Sequence, residues 1–365
     1  MSRTALRFDQ HFVDLLEMVD DEALLHGSGA DGPDTHPARY AEWADGAGVL
    51  RRTDLSHTVW RGALLDMAEV LGELVGPEDV VVVAAPYELS FAGATFERAV
   101  ELIGAAVIGV GTSDTICPKE RLLDLVRRYD ATVLVCDPQR ACDLAALETA
   151  RGGDPATSSI TRIVAVGAPC AGERLRRIGQ EWGAEVSALF STPTMPLVAV
   201  SCPAGGHHVR GHRFEVSLRS ATPGRLLPGA QRGELMLRTH GALVRPAQPT
   251  GELVELVPGA ARCACGRPGP VLLPLGTLAA AVGLPAGPVS AVDVETILHA
   301  GDDLPPGLTV RAEPPRFATH AAGATVSDPT VLRELLDRVD HELDIEVLMP
   351  ALPHTGPANT HEETS

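Results

Sequence analysis

The sequence predicts an α/β fold: a parallel sheet covered by helices on both faces, followed by a small α+β part. Three observations predict it. Short β-branched runs such as Val80-Val-Val-Val-Ala84 and Thr132-Val-Leu-Val-Cys136 read as buried strands. Each is joined by a short connection to a stretch with apolar residues at helical spacing, the alternation that builds parallel sheets. After Arg267 the composition shifts, and residues 268–290, rich in Gly, Pro and Ala, read as a hinge.

Residues 5–25 place Phe8, Phe12, Leu15, Leu16, Val19 and Leu24 on one helical face. Residues 27–37 are a loop by their Gly and Pro content. The run His26-Gly-Ser-Gly-Ala-Asp-Gly32 within it has neither a preceding strand nor a lysine, so it makes a poor phosphate loop. Residues 49–75 read as strand, turn and helix, with a cap within Thr53–His57 and Leu64, Leu65, Met67, Leu71 and Leu74 facing inward. Strands follow at 80–84, 106–110, 132–136 and 163–166, and helices at 91–103, 122–129, 141–150 and 173–182. Beyond the hinge come a helix at 292–298, a strand at 308–312, a helix at 331–343 and a strand at 345–348. In the second of these helices Leu332, Leu335, Leu336, Val339 and Leu343 form the inward stripe. Residues 351–365 are polar and expected to be disordered.

The chain has 365 residues and a formal net charge of −18, a balance that disfavours nucleic acid and anionic membranes as partners. Lys119 is its only lysine and is expected on the solvated surface. No apolar run reaches transmembrane length and the N-terminus lacks a signal-type core, so a cytoplasmic location is expected. In a reducing compartment the seven cysteines bind metal more readily than they pair. No Gly-x-Ser-x-Gly, His-Glu-x-x-His or dinucleotide fingerprint occurs, which leaves hydrolase, zincin and dehydrogenase readings without a motif.

The densest chemistry lies between Leu197 and Arg267. Cys202 and His208 bracket a Gly-Gly turn, and Cys263 and Cys265 stand one residue apart. Three thiols and an imidazole suit tetrahedral zinc. The alternative is that they are small core hydrophobes, and their spacing matches no common zinc finger. His207 and His212 flank His208 and read as surface residues, the alternative being that one of them supports the metal ligand. Cys117, Cys136, Cys142 and Cys170 have no metal spacing and read as buried.

The same residues carry a resemblance. Cys202, Gly206-His207-His208, His212-Arg213-Phe214 with Glu215, Gly233-Glu234-Leu235, Thr250-Gly251-Glu252 and Cys263-Ala-Cys265-Gly266-Arg267 are collinear with a family pattern. That pattern runs cysteine, G-L-H, D-H-F-x-x-E, G-E-L, R-T-G-D and C-x-C-G-R. Glu97-Arg98 through Val110 and Val164-Ala-Val-Gly167-Ala168-Pro169 add to the likeness. The chain resembles the phenylacetate-CoA ligase branch of the adenylate-forming (acyl-CoA ligase) superfamily over about residues 45 to 350. The resemblance implies the adenylate-forming fold: a shortened N-terminal segment at 1–48, a large α/β domain at 49–275, a small C-terminal domain at 281–350 and a tail at 351–365. It implies a structural zinc on Cys202, His208, Cys263 and Cys265. It also implies a nucleotide and substrate pocket near Tyr87, Phe91, Gly109, Gly167, Ala168, Phe190, Thr194 and Glu252.

Against that pattern, the groups that handle triphosphate are replaced. The phosphate-loop counterpart is Ala41-Glu42-Trp43-Ala44-Asp45-Gly46-Ala47-Gly48, which has lost its hydroxyls and gained two acids. Thr194 stands for the magnesium-supporting glutamate and Phe190 for the tyrosine. Glu252 stands for the ribose-binding aspartate, and Gly276-Thr277-Leu278-Ala279-Ala280 for the hinge. Where the family has its C-terminal lysine, Leu352-Pro353-His354-Thr355-Gly356-Pro357 has none, and no Arg follows Arg338. The expected function is a phenylacetate-CoA ligase-like protein that no longer adenylates a carboxylate, a pseudoenzyme or a binder of an aromatic or other small carboxylic acid. It would act with a partner protein or as a homodimer. A divergent working ligase using ATP and Mg²⁺, in a specialised pathway, is the alternative, and a repurposed zinc enzyme the second.

Overall fold

The valine-rich runs of the first half form a parallel sheet in the computed structural model, and the order of its strands determines where a cleft opens. The structure describes residues 37–44, 49–240, 247–257, 263–301, 304–313, 316–321, 329–343 and 345–348. The helix expected over 5–25, the loop up to residue 36, Asp45 to Gly48 of the phosphate-loop counterpart and the tail 351–365 lie outside these residues.

Strand β1 (Pro37–Ala44) pairs antiparallel with β2 (Leu50–Ser56). Helix α1 (His57–Gly72) starts at once, because the Ser56 hydroxyl accepts a hydrogen bond from the Val59 amide and caps it. Strands β3 (Val80–Ala84), β4 (Ala106–Gly109), β5 (Val133–Cys136), β6 (Arg162–Ala165) and β7 (Glu185–Thr192) then run parallel in the order β4-β3-β5-β6-β7. Helices α2 (Ala92–Ile103), α3 (Lys119–Arg128), α4 (Pro138–Ala150) and α5 (Gly172–Trp182) make the crossovers. Alternate residues of β3 serve opposite cores: Val81 and Val83 pack with Met67, Leu71, Phe96 and Val100, whereas Val82 and Ala84 pack with Leu122, Leu144, Ile178 and Trp182. A strand covered on both faces must be apolar throughout, which is why these runs lack polar alternation.

The sheet then turns antiparallel, a half to which the sequence reading assigned no strand ranges. After β7 come β8 (Met195–Ser201), β9 (His207–Val209), β10 (Phe214–Pro223), β11 (Gln231–Thr239), β12 (Gln248–Val257) and β13 (Val271–Thr277), in the spatial order β10-β11-β12-β13-β9-β8-β7. Register shifts in β10, β11 and β12 break the two-residue alternation that would have disclosed these strands. The expected hinge over 268–290 is corrected in its first part. Val271-Leu-Leu-Pro-Leu275 is buried inside the sheet as β13, with Pro274 opposite Val254 beside a register shift, a position proline tolerates.

The remainder forms its own cluster of buried side chains, including Leu298, Leu308, Phe317, Leu332, Leu336 and Val339. It comprises α6 (Ala291–Leu298), α7 (Pro329–Leu343) and a sheet of β14 (Leu308–Glu313), β15 (Arg316–Ala321) and β16 (Val347–Leu348), with β15 and β16 parallel. Strand β15 went unseen in the sequence, where Pro314 and Pro315 separate it from β14. A capping box between Ser290 and Asp293 starts α6.

Buried arginines tie this part to the large sheet. The Arg232 guanidinium, on β11, lies 2.6 Å from Glu255 and 2.7 Å from Asp293, and all three side chains are sealed from solvent. Arg174 of α5 pairs with buried Glu295 at 3.1 Å and donates to the Pro306 carbonyl. Arg177 donates to the carbonyls of His299 and Leu304. Among the described residues no helix is long and apolar enough to cross a membrane.

Candidate functional site

The order β4-β3-β5 reverses chain direction beside β3: one crossover leaves towards β4, and the chain returns on the other side at β5. In open α/β sheets, ligands bind outside the carboxyl ends of the strands at such a reversal. Here a cavity of about 340 Å³ opens at this point. Ala84, Ala85 and Pro86 at the end of β3, Asp137 after β5, Val166 and Gly167 after β6, and Leu189, Ser191 and Thr192 of β7 line it. Phe91, Ala92 and Phe96 of the α2 region supply an apolar wall. Glu42 and Trp43 of β1 close one side, held there by the Glu42 amide on the Leu89 carbonyl (2.9 Å) and by Trp43 Nε1 on Thr53 Oγ1 (3.2 Å).

Glu252, midway along β12, completes the lining. No side-chain partner for its carboxyl exists among the described residues, and burial alone lifts its pKa to about 7. Asp137 is half-buried and caps α4, accepting from the Arg140 amide at 2.9 Å. The described residues around the cavity therefore include three carboxyl groups, on Glu42, Asp137 and Glu252, and no Lys, Arg or His.

The expected pocket residues divide. Phe91, Gly167 and Glu252 line the cavity together. Tyr87 and Gly109 instead form a packed pair: a Cβ on Gly109 would lie 2.5 Å from the Tyr87 hydroxyl, and one on Gly93 2.7 Å from its ring. Burial and neighbouring Glu97 push the Tyr87 hydroxyl well above its ordinary pKa. Ala168 and Phe190 face a small neighbouring void with His207 and Pro274. Thr194 sits in the β7–β8 connection, where its hydroxyl meets that of Thr192 at 3.1 Å. Trp43 and its neighbours Ala41 and Glu42 belong to the phosphate-loop counterpart, whereas Asp137 was missed by motif reading. Asp137 was accessible to it as the acid-then-proline start of a helix after a buried strand.

The cysteine and histidine set comes together from two loops. Cys202 Sγ lies 3.6 Å from Cys263 Sγ, His208 Nε2 lies 3.1 Å from Cys265 Sγ, and all four donor atoms fall within 4.8 Å of one another. Burial lowers the His208 pKa, keeping its imidazole neutral and able to ligate. The Cys265 backbone amide, hydrogen-bonded to the Cys263 sulfur, lowers that thiol. His207 is corrected from surface to core: burial drives its pKa down to about 4, and its Nδ1 has no partner. It borders a second cavity of about 440 Å³, between α5 and the β7–β9 strands, that also takes in Cys202. His212 is half-exposed but engaged, with Nε2 2.8 Å from Asp66 Oδ1, a carboxylate also held by Arg213 at 3.0 Å. Lys119 is likewise engaged, 2.5 Å from Asp143. The other four cysteines are buried.

No family model matches the sequence, and no curated protein matches it. Solved structures do. 2-Hydroxyisobutyryl-CoA ligase in the postadenylation state with 2-HIB-AMP superposes with a TM-score of 0.68 at 16% identity, over 89% of this chain and 72% of that one. A benzoate CoA ligase from Burkholderia xenovorans LB400 gives 0.59 at 16% identity, over 90% and 68%. The amide bond synthetase McbA from Marinactinospora thermotolerans gives 0.58 at 20% identity, over 89% and 69%. With a long mixed sheet carrying helices on both faces and a smaller α+β part behind it, this chain has the fold of the adenylate-forming enzymes.

Proposed function

We propose that this chain is a phenylacetate-CoA ligase-like member of the adenylate-forming superfamily whose cleft binds a small organic molecule without activating it with ATP. The observation that carries this reading is the lining of the cleft. Its walls are apolar and aromatic with hydroxyls from Ser90, Thr112, Ser191 and Thr192, and the only ionisable groups among the described lining residues are acids. A carboxylate about 4 Å from a phosphate oxygen repels it by roughly 4 kcal/mol at a surface-like dielectric. Adenylation needs the opposite charge: cations placed where charge develops on the transferring phosphoryl group, and none is among the described lining residues. The sequence supports the same reading at Thr194, which replaces the magnesium-supporting glutamate, and at Leu352-Pro353-His354-Thr355-Gly356-Pro357, which lacks the lysine of the family pattern. Pyrophosphate release, assayed with ATP·Mg²⁺ and a panel of aryl and alkyl carboxylic acids, should stay at the no-enzyme level. Turnover with any acid would support the second reading, a divergent working ligase, which Glu252 at the position of the ribose-binding acid favours.

The cysteine cluster serves a structural role in this reading. Three thiols and an imidazole would complete a tetrahedral zinc shell and leave no open position for substrate. The ion would pin the Cys263–Cys265 turn to the β8–β9 connection. Elemental analysis of protein purified without added metal should give one zinc per chain, and Cys265→Ser should abolish it. Chelation should lower thermal stability, since metal binding here is linked to folding. A zinc-free protein of unchanged stability would contradict this role.

A further inference from the structure

The occupant of the cleft can be narrowed by charge, on the reading that the cleft binds without adenylating. We propose that the cavity takes an organic ammonium ion, with its apolar body against Trp43, Phe91 and Phe96 and its charge beside Glu252 and Asp137. Four features point the same way.

The cavity combines aromatic rings and carboxyl groups, the two surfaces that hold ammonium ions. No described lining residue bears a positive charge that would accept a carboxylate or compete for these acids. Glu252 is half-buried, without a hydrogen-bond or ion-pair partner for its carboxyl among the described residues. A buried acid left unpaired costs free energy that a bound cation recovers. Lastly, a cavity of about 340 Å³ has room for a one-ring amine.

The other sites yield less. Arg210 and Arg213 already satisfy Asp66 in the Asp66, Glu69 and His212 group. The 440 Å³ cavity offers an unpartnered His207 but no feature that selects a ligand class.

The test is calorimetric titration of the full chain with three probes of matched shape: 2-phenylethylammonium, neutral phenylacetamide and phenylacetate. The ammonium ion should bind at least tenfold more tightly than the amide, and phenylacetate more weakly than either. In Glu252→Gln the ammonium advantage should fall to threefold or less while the amide is unaffected, a split that general damage to the cavity would not give. Phenylacetate binding best, or no probe binding at millimolar concentration, would overturn the proposal and leave the non-adenylating reading standing. Pyrophosphate release with phenylacetate and ATP would instead overturn that reading.

Discussion

Arg232→Met should destabilise the protein by about 3–5 kcal/mol, the usual consequence of leaving buried charges without their partner. Arg232 is fully buried and gives Nη2 to both Glu255 and Asp293, Nη1 to Asp293 at 2.8 Å and to the Pro288 carbonyl at 2.9 Å. Without it, Glu255 would retain the backbone amides of Arg225, Leu226 and Leu227. Burial opposes the charge on Glu255, but those amides and Arg232 together hold its pKa below the ordinary value. Asp293 would keep only the Ser290 amide and hydroxyl, at the start of α6. The loss should therefore fall on the attachment of the 282–347 cluster to the sheet. Hydrogen exchange should rise first in α6 and β14, and urea unfolding should shift to lower midpoint. A change under 1 kcal/mol would mean that water or another group reaches the site. The triple variant Arg232→Met, Glu255→Gln, Asp293→Asn should recover part of the loss, because it removes the charges as well as the pair.

Glu252→Gln should stabilise the protein at alkaline pH and have no such effect in acid. Burial raises the Glu252 carboxyl from 4.5 to about 7, so between these values the folded chain keeps a proton that the unfolded chain has lost. Stability supplied by that proton is complete below about 4.5, falls as pH rises through the interval, and is fully lost above about 7. At about 1.4 kcal/mol per pH unit, the ionised side chain costs up to about 3 kcal/mol at pH 8. Glutamine keeps the shape and cannot ionise, so urea unfolding at pH 8 should favour the variant by about 2–3 kcal/mol and at pH 4 by nothing. Equal stability at both pH values would mean that Glu252 is solvated in the folded state. The same variant loses its hold on ammonium ions, so greater stability and weaker binding should appear together.

The parallel half of the fold was legible because strands buried on both faces are written as plain apolar runs, Val80–Ala84 and Val133–Cys136 among them. The antiparallel half was hidden. In β10, Phe214, Val216 and Leu218 alternate with Glu215, Ser217 and Arg219, but the irregular register after Arg219 ends the pattern within a few residues. Strand β13 was obscured by Pro274 and Gly276, residues that signal a break in isolation and occupy a bulge here. At the site, the residues that the collinear motifs picked out come together in two groups, Glu252, Gly167 and Phe91 around the cavity and the four Cys and His donors beside β9. Asp137 escaped because its acid-proline cap marks only a helix start, and its place in the cavity comes from the strand order around β3; Trp43, read as part of the phosphate-loop counterpart, reaches the cavity through the β1–β2 hairpin. His207 looked like one of two surface histidines flanking the ligand His208, and only the packing of β9 between β8 and β13 buries it.

The claim on which the rest depends is that the cleft of this adenylate-forming fold does not accommodate a nucleoside triphosphate. Calorimetric titration of the full chain with ATP·Mg²⁺, at pH 7.5 and moderate ionic strength, measures this directly. The account predicts no saturable heat up to millimolar nucleotide. A micromolar dissociation constant that weakens on substitution of Glu252 or Thr192 in the cavity wall would contradict it.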